Sequence, residues 1–253
     1  MKTVKVRNIV IGEGLPKICV PIVGKNAEEL IEEIAILKQE QVDVVEWRMD
    51  WFDQIMDINA AIEMLKVIRE HVGDLALLAT FRTSKEGGEK AISNEDYVSL
   101  YKSIIATKLA DLVDVELFTG DEEVEEIVEA AHAFGVGVVM SNHDFDKTPA
   151  CEEIVTRLTR MQELGADIPK IAVMPTCKQD VLTLLQATCI MHENIADRPI
   201  ITMSMAGMGA VSRVCGEVFG SALTFGAAKK ASAPGQVAVK DLATMLQLLH
   251  KSL

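Results

Sequence analysis

Eight short apolar runs, each followed by a stretch of helical periodicity, predict an α/β fold for this 253-residue chain, a closed (β/α)8 TIM barrel. Two further observations point the same way. About 250 residues is the usual length of such a barrel. No glycine-rich dinucleotide fingerprint follows any of the runs, which disfavours an open doubly wound sheet.

The apolar runs lie at 18–23, 42–47, 75–81, 112–117, 136–140, 168–174, 200–205 and 222–225. Runs this short and this apolar suit strands buried on both faces, as parallel strands are. The helical stretches lie at 27–40, 58–71, 94–108, 122–134, 151–164, 179–193, 210–219 and 241–249. In the first of them Leu30, Ile31, Ile34, Ile36 and Leu37 mark one broad apolar side. No composition shift, low-complexity tract or long linker interrupts the repeat, so residues 1–253 are expected to form a single barrel domain. Ahead of it, residues 3–11 alternate in polarity up to Gly12 and Gly14, the pattern of a short strand or small hairpin. That segment has no place in the eightfold repeat and is expected to close the bottom of the barrel.

Composition narrows the function. With 49% hydrophobic and 25% charged residues the chain can build an ordinary globular core. A formal charge of −13 argues against nucleic acid or an anionic membrane as partner, but a few arginines in a cleft can still attract an anionic small molecule. Five scattered cysteines without CxxC spacing fit reduced thiols better than disulfides or a zinc site. The charged N-terminus is followed by no apolar leader segment, and no apolar run approaches the ~18 residues of a membrane span. A cytoplasmic protein is expected.

In barrels of this kind the working residues sit at the C-terminal ends of strands. Lys170 interrupts the 168–174 run. Either its stem snorkels to solvent, or the amine is desolvated and able to attack a carbonyl. Glu46 and Arg48 share a face by the two-residue period, as an ion pair inside the barrel or as ligand contacts. Arg82 ends the third run and leads into a loop carrying Glu86, Gly87 and Gly88, which is a flexible loop or an ordered turn. Asp114 and Glu116 share parity, as inward carboxylates or members of a network. His143 lies three residues past the fifth run, at the strand's end, where it suits acid–base work, whereas His71, His132, His192 and His250 fall in or beside helices. Met203 and Met205 suit a core or a pocket wall. Arg213 suits a carboxylate, and the loop with Ser232 and Gln236 is a surface loop or a lid. One strand-end histidine is too few for a metal hydrolase. A lysine, a histidine on the neighbouring strand, a loop carboxylate and several arginines match imine chemistry on an anionic carbonyl compound.

Six segments, in this order along essentially the whole chain, resemble the type I 3-dehydroquinases. They are Glu46-Trp47-Arg48; Phe81-Arg82 with Glu86-Gly87-Gly88-Glu89; Asp114-Val115-Glu116-Leu117; Ser141-Asn142-His143-Asp144-Phe145; Pro169-Lys170-Ile171-Ala172; and Ser232-Ala233-Pro234-Gly235-Gln236. The resemblance implies syn elimination of water from 3-dehydroquinate to 3-dehydroshikimate, in the shikimate pathway, through a Lys170 Schiff base and without metal or organic cofactor. It implies that His143 is general base and acid and that Glu86 orients it. Arg213 would hold the substrate carboxylate, with Glu46, Arg48 and Arg82 on the ring hydroxyls and charge balance. Ser232 and Gln236 would belong to a closing loop, and Met203, Met205 and Phe225 would line the pocket. Pro21 stands where some relatives carry a serine that could touch substrate, so that contact is absent here. A homodimer is also implied. An aldolase-like lysine barrel, and a non-catalytic sugar-acid-binding barrel with Lys170 as a simple cation, are the competing readings.

Overall fold

The computed structural model describes residues 2–228 and 235–253. The alternating N-terminal segment becomes an antiparallel hairpin of β1 (Val4–Val6) and β2 (Ile9–Ile11), with Val4 opposite Ile11. The apolar runs become β3 (Lys17–Ile22), β4 (Val44–Arg48), β5 (Ala76–Thr80), β6 (Leu112–Glu116), β7 (Gly137–Asp144), β8 (Ile168–Val173), β9 (Ile201–Ser204) and β10 (Leu223–Ala227), and a short β11 (Val237–Ala238) follows. The helices are α1 (Ala27–Leu37), α2 (Ile58–Val72), α3 (Asn94–Ala106), α4 (Asp121–Phe134), α5 (Cys151–Glu163), α6 (Lys178–Ile190), α7 (Ala210–Val214), α8 (Gly216–Phe219) and α9 (Val239–His250). Asn26, Asp57 and Ser93 start α1, α2 and α3 by accepting N–H groups of the first turn, which would otherwise lack partners.

From β10 through β3 to β9 the strands pair in chain order, each parallel to the next. A bridge between Ile200 and Ser221 brings β9 to β10 and completes the ring. β11 adds to the upper end of β10 at Gly226 and Ala227. Outward side chains such as Val45, Trp47, Leu77 and Ala79 pack with Leu30, Ile34, Leu65 and Ile68 of the helices. Inward side chains low in the barrel, including Cys19, Val44, Ala76 and Leu112, form a second core with Val6 and Ile11 of the hairpin. The alternating segment is therefore a hairpin, and it plugs the bottom, as its lack of a place in the eightfold repeat led us to expect.

Two elements differ from the sequence reading. The helix expected over 210–219 breaks at Cys215, whose φ of −93° and ψ of 14° leave the helical range, so α7 and α8 turn a corner instead of continuing. The strand expected over 136–140 runs on to Asp144, which puts His143 within the sheet and opposite Ala172. Polar residues at a strand's end give no apolar signal, so the run underestimates the strand.

A repeated clip sets the register at the bottom of the barrel. Asp43, Asp111 and Asp167 each immediately precede an even-numbered strand. Each donates its N–H to the carbonyl of Ile18, Leu77 or Val138 at 3.0, 2.9 and 2.9 Å. Its Oδ2 accepts the N–H of that same residue at 2.8, 2.9 and 2.7 Å. The equivalent position before β10 is Ala222, which keeps the backbone bond to Ile200 without a carboxylate. Asp111 also accepts from Arg7 Nε at 2.7 Å and Arg69 Nη1 at 2.9 Å, so it fastens the hairpin to the barrel. Asp111→Ala strips these three partners at once and is expected to destabilise the fold by about 3 kcal/mol in urea unfolding. A loss below about 1 kcal/mol, the scale of one exposed ion pair, would reject the clip.

Candidate active site

Strand pleating turns Glu46, Thr80, Asp114, Ser141 and Lys170 into the barrel above its apolar floor, with Ser141 level with Lys170. Lys170 is 3% exposed. Its Nζ lies 2.8 Å from Asp114 Oδ2, 4.0 Å from Glu46 Oε1 and 4.6 Å above the Phe225 ring centre. Glu46 also accepts from Thr80 Oγ1 at 3.0 Å. Two carboxylates and an aromatic face around the amine offset the cost of its burial, which accounts for a lysine in an apolar strand.

Arg82 ties the layer together. Its guanidinium donates to Asp114 Oδ1 at 2.6 Å, Glu116 Oε1 at 2.9 Å and Ser141 Oγ at 3.0 Å, and lies 3.5 Å from Glu86. Burial opposes ionisation of Asp114, but Arg82 and Lys170 together hold its carboxyl well below the usual carboxylate range.

Glu86 reaches the barrel axis from a one-turn 3₁₀ segment, Ser84–Glu86, that Thr83 caps. The turn depends on the two glycines after it. Gly87 takes φ +80°, and a side chain at Gly88 would collide with the Arg82 carbonyl. Glu86 Oε2 accepts the His143 backbone N–H and faces His143 Nδ1, both at 2.9 Å, while Oε1 accepts from Asn142 Nδ2 at 3.1 Å. Burial pushes the Glu86 carboxyl up to about 8, against the pull of Arg82 and these donors. Burial, with Arg82 and Lys170 nearby, holds His143 well below its ordinary value, so the imidazole is neutral at pH 7. With Nδ1 on Glu86, Nε2 is left for the cleft.

Above this layer a cleft of about 510 Å³ opens at the strands' C-terminal ends. Lys170, His143, Glu86, Glu46, Arg48, Arg82, Arg213 and Gln236 all border it, although they come from well-separated parts of the chain. Met203, Met205 and Phe225 supply apolar wall. Arg213 is 1% exposed, with Nη1 between the Met203 sulfur at 3.7 Å and the Phe225 carbonyl at 3.5 Å, and burial lowers its pKa to about 10. Ser232 lies outside the described residues.

One of the sequence alternatives is corrected. Arg48 does not pair with Glu46; its Nε and Nη2 bond both oxygens of Asp50 at 2.8 Å. Asp50 accepts further from the N–H groups of Arg82 and Glu89, at 3.3 and 3.1 Å, and thereby braces the loop that carries Glu86. Asp50 lies in the 3₁₀ turn Met49–Trp51 that follows β4, beyond the reach of the strand's two-residue period. Asp114 was legible as an inward acid, but its direct hold on Lys170 was not.

A barrel whose mouth encloses an amine against carboxylates, beside a neutral histidine and several guanidinium groups, belongs to the enzymes that act on carbonyl compounds through a lysine. The sequence model of the type I 3-dehydroquinases matches residues 18–253, and the chain belongs to that family. A 3-dehydroquinate dehydratase of Clostridioides difficile is 58% identical over 252 residues, covering 100% of this chain and 99% of its own. One from Bacillus licheniformis is 56% identical over 252 residues, with coverage of 100% and 99%. The solved type I 3-dehydroquinate dehydratase of Clostridium difficile, with covalently modified comenic acid, superposes with a TM-score of 0.97 at 58% identity, covering 100% of this chain and 99% of that one.

Proposed function

We propose that this chain removes water from 3-dehydroquinate to form 3-dehydroshikimate through an imine on Lys170. The chain would act as one barrel domain, residues 1–253, in the cytoplasm and as a homodimer. The observation that carries the reaction is the placement of the Lys170 amine, enclosed in the cleft and one layer below a neutral His143 on the adjacent strand. Among the described residues no helix is long and apolar enough to cross a membrane.

The geometry supports the following chemistry. With Nζ uncharged, its lone pair attacks the ketone carbon; the oxygen takes one proton from that nitrogen and one from solvent and leaves as water, which leaves a protonated imine. His143 Nε2 takes the proton from the neighbouring carbon, and the C–H electrons move onto the imine nitrogen as an enamine. They return to expel the hydroxyl from the next carbon, with the proton now on His143 completing the departing water. One imidazole serving both positions requires both groups to leave from one ring face, a syn elimination. Water then cleaves the imine and frees Lys170. Arg48 and Arg82 are bound by protein carboxylates, so they suit ring hydroxyls and charge balance with Glu46. Arg213, between a sulfur and a carbonyl at the cleft wall, suits the substrate carboxylate. Gln236 borders the cleft from the segment that follows β10, and with Ser232 would close over bound substrate.

Borohydride added with 3-dehydroquinate tests the imine. It should attach the reduced ligand to the peptide bearing Lys170; labelling elsewhere, or none, overturns the reading. Product analysis separates the aldolase alternative, which yields two fragments. The acid limb of kcat/KM provides a second check. The base must be unprotonated, and a depressed histidine stays unprotonated to lower pH. Activity should therefore fall through an apparent pKa below the ordinary 6.5. A limb above that value would show His143 to be something other than the base.

A further inference from the structure

Outside the cleft, a chain of polar groups, half-buried at Arg157 and buried at Asn142 and Glu86, runs from α5 to the histidine. Arg157 of α5 donates from Nη1 to Asn142 Oδ1 at 2.9 Å, Asn142 Nδ2 donates to Glu86 Oε1 at 3.1 Å, and Glu86 Oε2 meets His143 Nδ1. Asn142 is 3% exposed and lies on β7 beside His143, with the opposite parity. Glu153 holds Arg157 Nε at 2.9 Å, Asp144 lies 3.7 Å from Nη1, and the guanidinium sits 5.5 Å from the Phe118 ring centre.

The chemistry of these groups gives the chain a direction. A guanidinium can donate and never accept. Arg157 therefore admits one orientation of the Asn142 amide, with its oxygen outward and its NH₂ toward Glu86. Reversed, the amide would set its oxygen against the carboxylate and its NH₂ against the guanidinium. We propose that Arg157 is a positioning residue for the dehydration: by locking the Asn142 amide it keeps Glu86 an acceptor, and so keeps the His143 proton on Nδ1 and the Nε2 lone pair toward the substrate. This rests on the dehydratase reading for the role of His143. Burial already pushes the Glu86 carboxyl up, and the Asn142 N–H is one of the donors that oppose the rise, so losing it favours the protonated form further.

Glu86 is faced by Arg82 at the end of β5, Glu116 of β6, and Asn142 and His143 of β7. His143 is faced by Arg82, Lys170 of β8, Asp114 of β6 and Arg48 of β4. Without the lock, Glu86 and His143 together take up a second proton at higher pH, and the base is lost earlier as pH falls.

The test compares pH profiles of kcat/KM for the unmodified enzyme, Arg157→Leu, Asn142→Leu, the double variant and Arg157→Lys. Arg157→Leu should raise the acid limb by about one pH unit, Asn142→Leu should do the same, and the double variant should move it no further. Arg157→Lys, which keeps a donor-only cation, should restore most of the shift. A limb that stays in place while kcat falls marks a merely structural role and overturns the proposal. Additive shifts in the double variant overturn it too, since they show a through-space charge effect that bypasses Asn142. Should Asn142→Leu fail to fold, the contrast between Arg157→Leu and Arg157→Lys decides. Nitrogen-15 spectra of the His143 ring in the ligand-free enzyme read the same property without turnover. They should show an Nδ1–H tautomer in the unmodified protein whose titration moves up in Arg157→Leu. If the enzyme fails to dehydrate 3-dehydroquinate, these spectra still accept or reject the lock.

Discussion

Lys170→Met is expected to lower kcat by at least about 10⁴-fold and to abolish borohydride trapping, while the protein still folds. Methionine matches the length of the lysine stem but has no nitrogen to bond the ketone, so no electron sink forms for the proton abstraction by His143. The buried carboxylate left behind is not stranded. Asp114 keeps Arg82 at 2.6 Å and Ser141 at 2.6 Å after the amine is gone. The loss of fold stability should therefore be about 1–3 kcal/mol, the scale of one charged hydrogen bond. Kinetics, mass spectrometry of the trapped enzyme and urea unfolding measure the three quantities. Turnover within tenfold of the unmodified enzyme would remove Lys170 from the reaction.

Arg82→Met should do the greater damage to the fold. Its guanidinium touches Asp114 and Glu116 and lies 3.5 Å from Glu86, and all three carboxylates are buried. Breaking a buried ion pair by removing one partner costs about 3–5 kcal/mol. The cost should depend on pH with a definite sign. In the unmodified protein the depressed pKa of Asp114 contributes stability that is complete above the ordinary carboxylate range and lost as pH falls through the folded value. In the variant the crowded carboxylates favour protonation, so their penalty grows as pH rises through that range. The stability gap between the two proteins should be full at neutral pH and narrow below about pH 4. A gap independent of pH would mean that packing of the Arg82 stem, and not its charge, is what the site needs.

What could be read from the chain in advance follows from short-range geometry. The two-residue pleat of a strand and the 3.6-residue turn of a helix act within a few residues. Eight apolar runs were therefore enough for the barrel, and shared parity was enough to group Glu46 with Arg48 and Asp114 with Glu116; the lysine breaking one run left two readings open until the histidine and arginines at other strand ends were set beside it. Three repeats of a small apolar residue, aspartate and an apolar residue, around Asp43, Asp111 and Asp167, were equally visible. Their purpose is evident only once each aspartate is seen to grip the preceding strand. The same local rules failed at 210–219, where apolar periodicity continues across a corner that no turn residue except Gly216 announces.

The chain by itself determined which residues face the barrel's interior, because facing depends on neighbours one and two positions away. Tertiary structure alone decided which of them meet. Lys170 finds Asp114 across 56 residues, Arg82 finds Ser141 across 59, and Glu86 finds His143 across 57. Those encounters depend on the register of parallel strands and on closure of the ring, which are set by the packing of the whole barrel. The shifted charge states of His143, Glu86 and Asp114 arise there as well, since burial and the surrounding ions exist only in the folded chain.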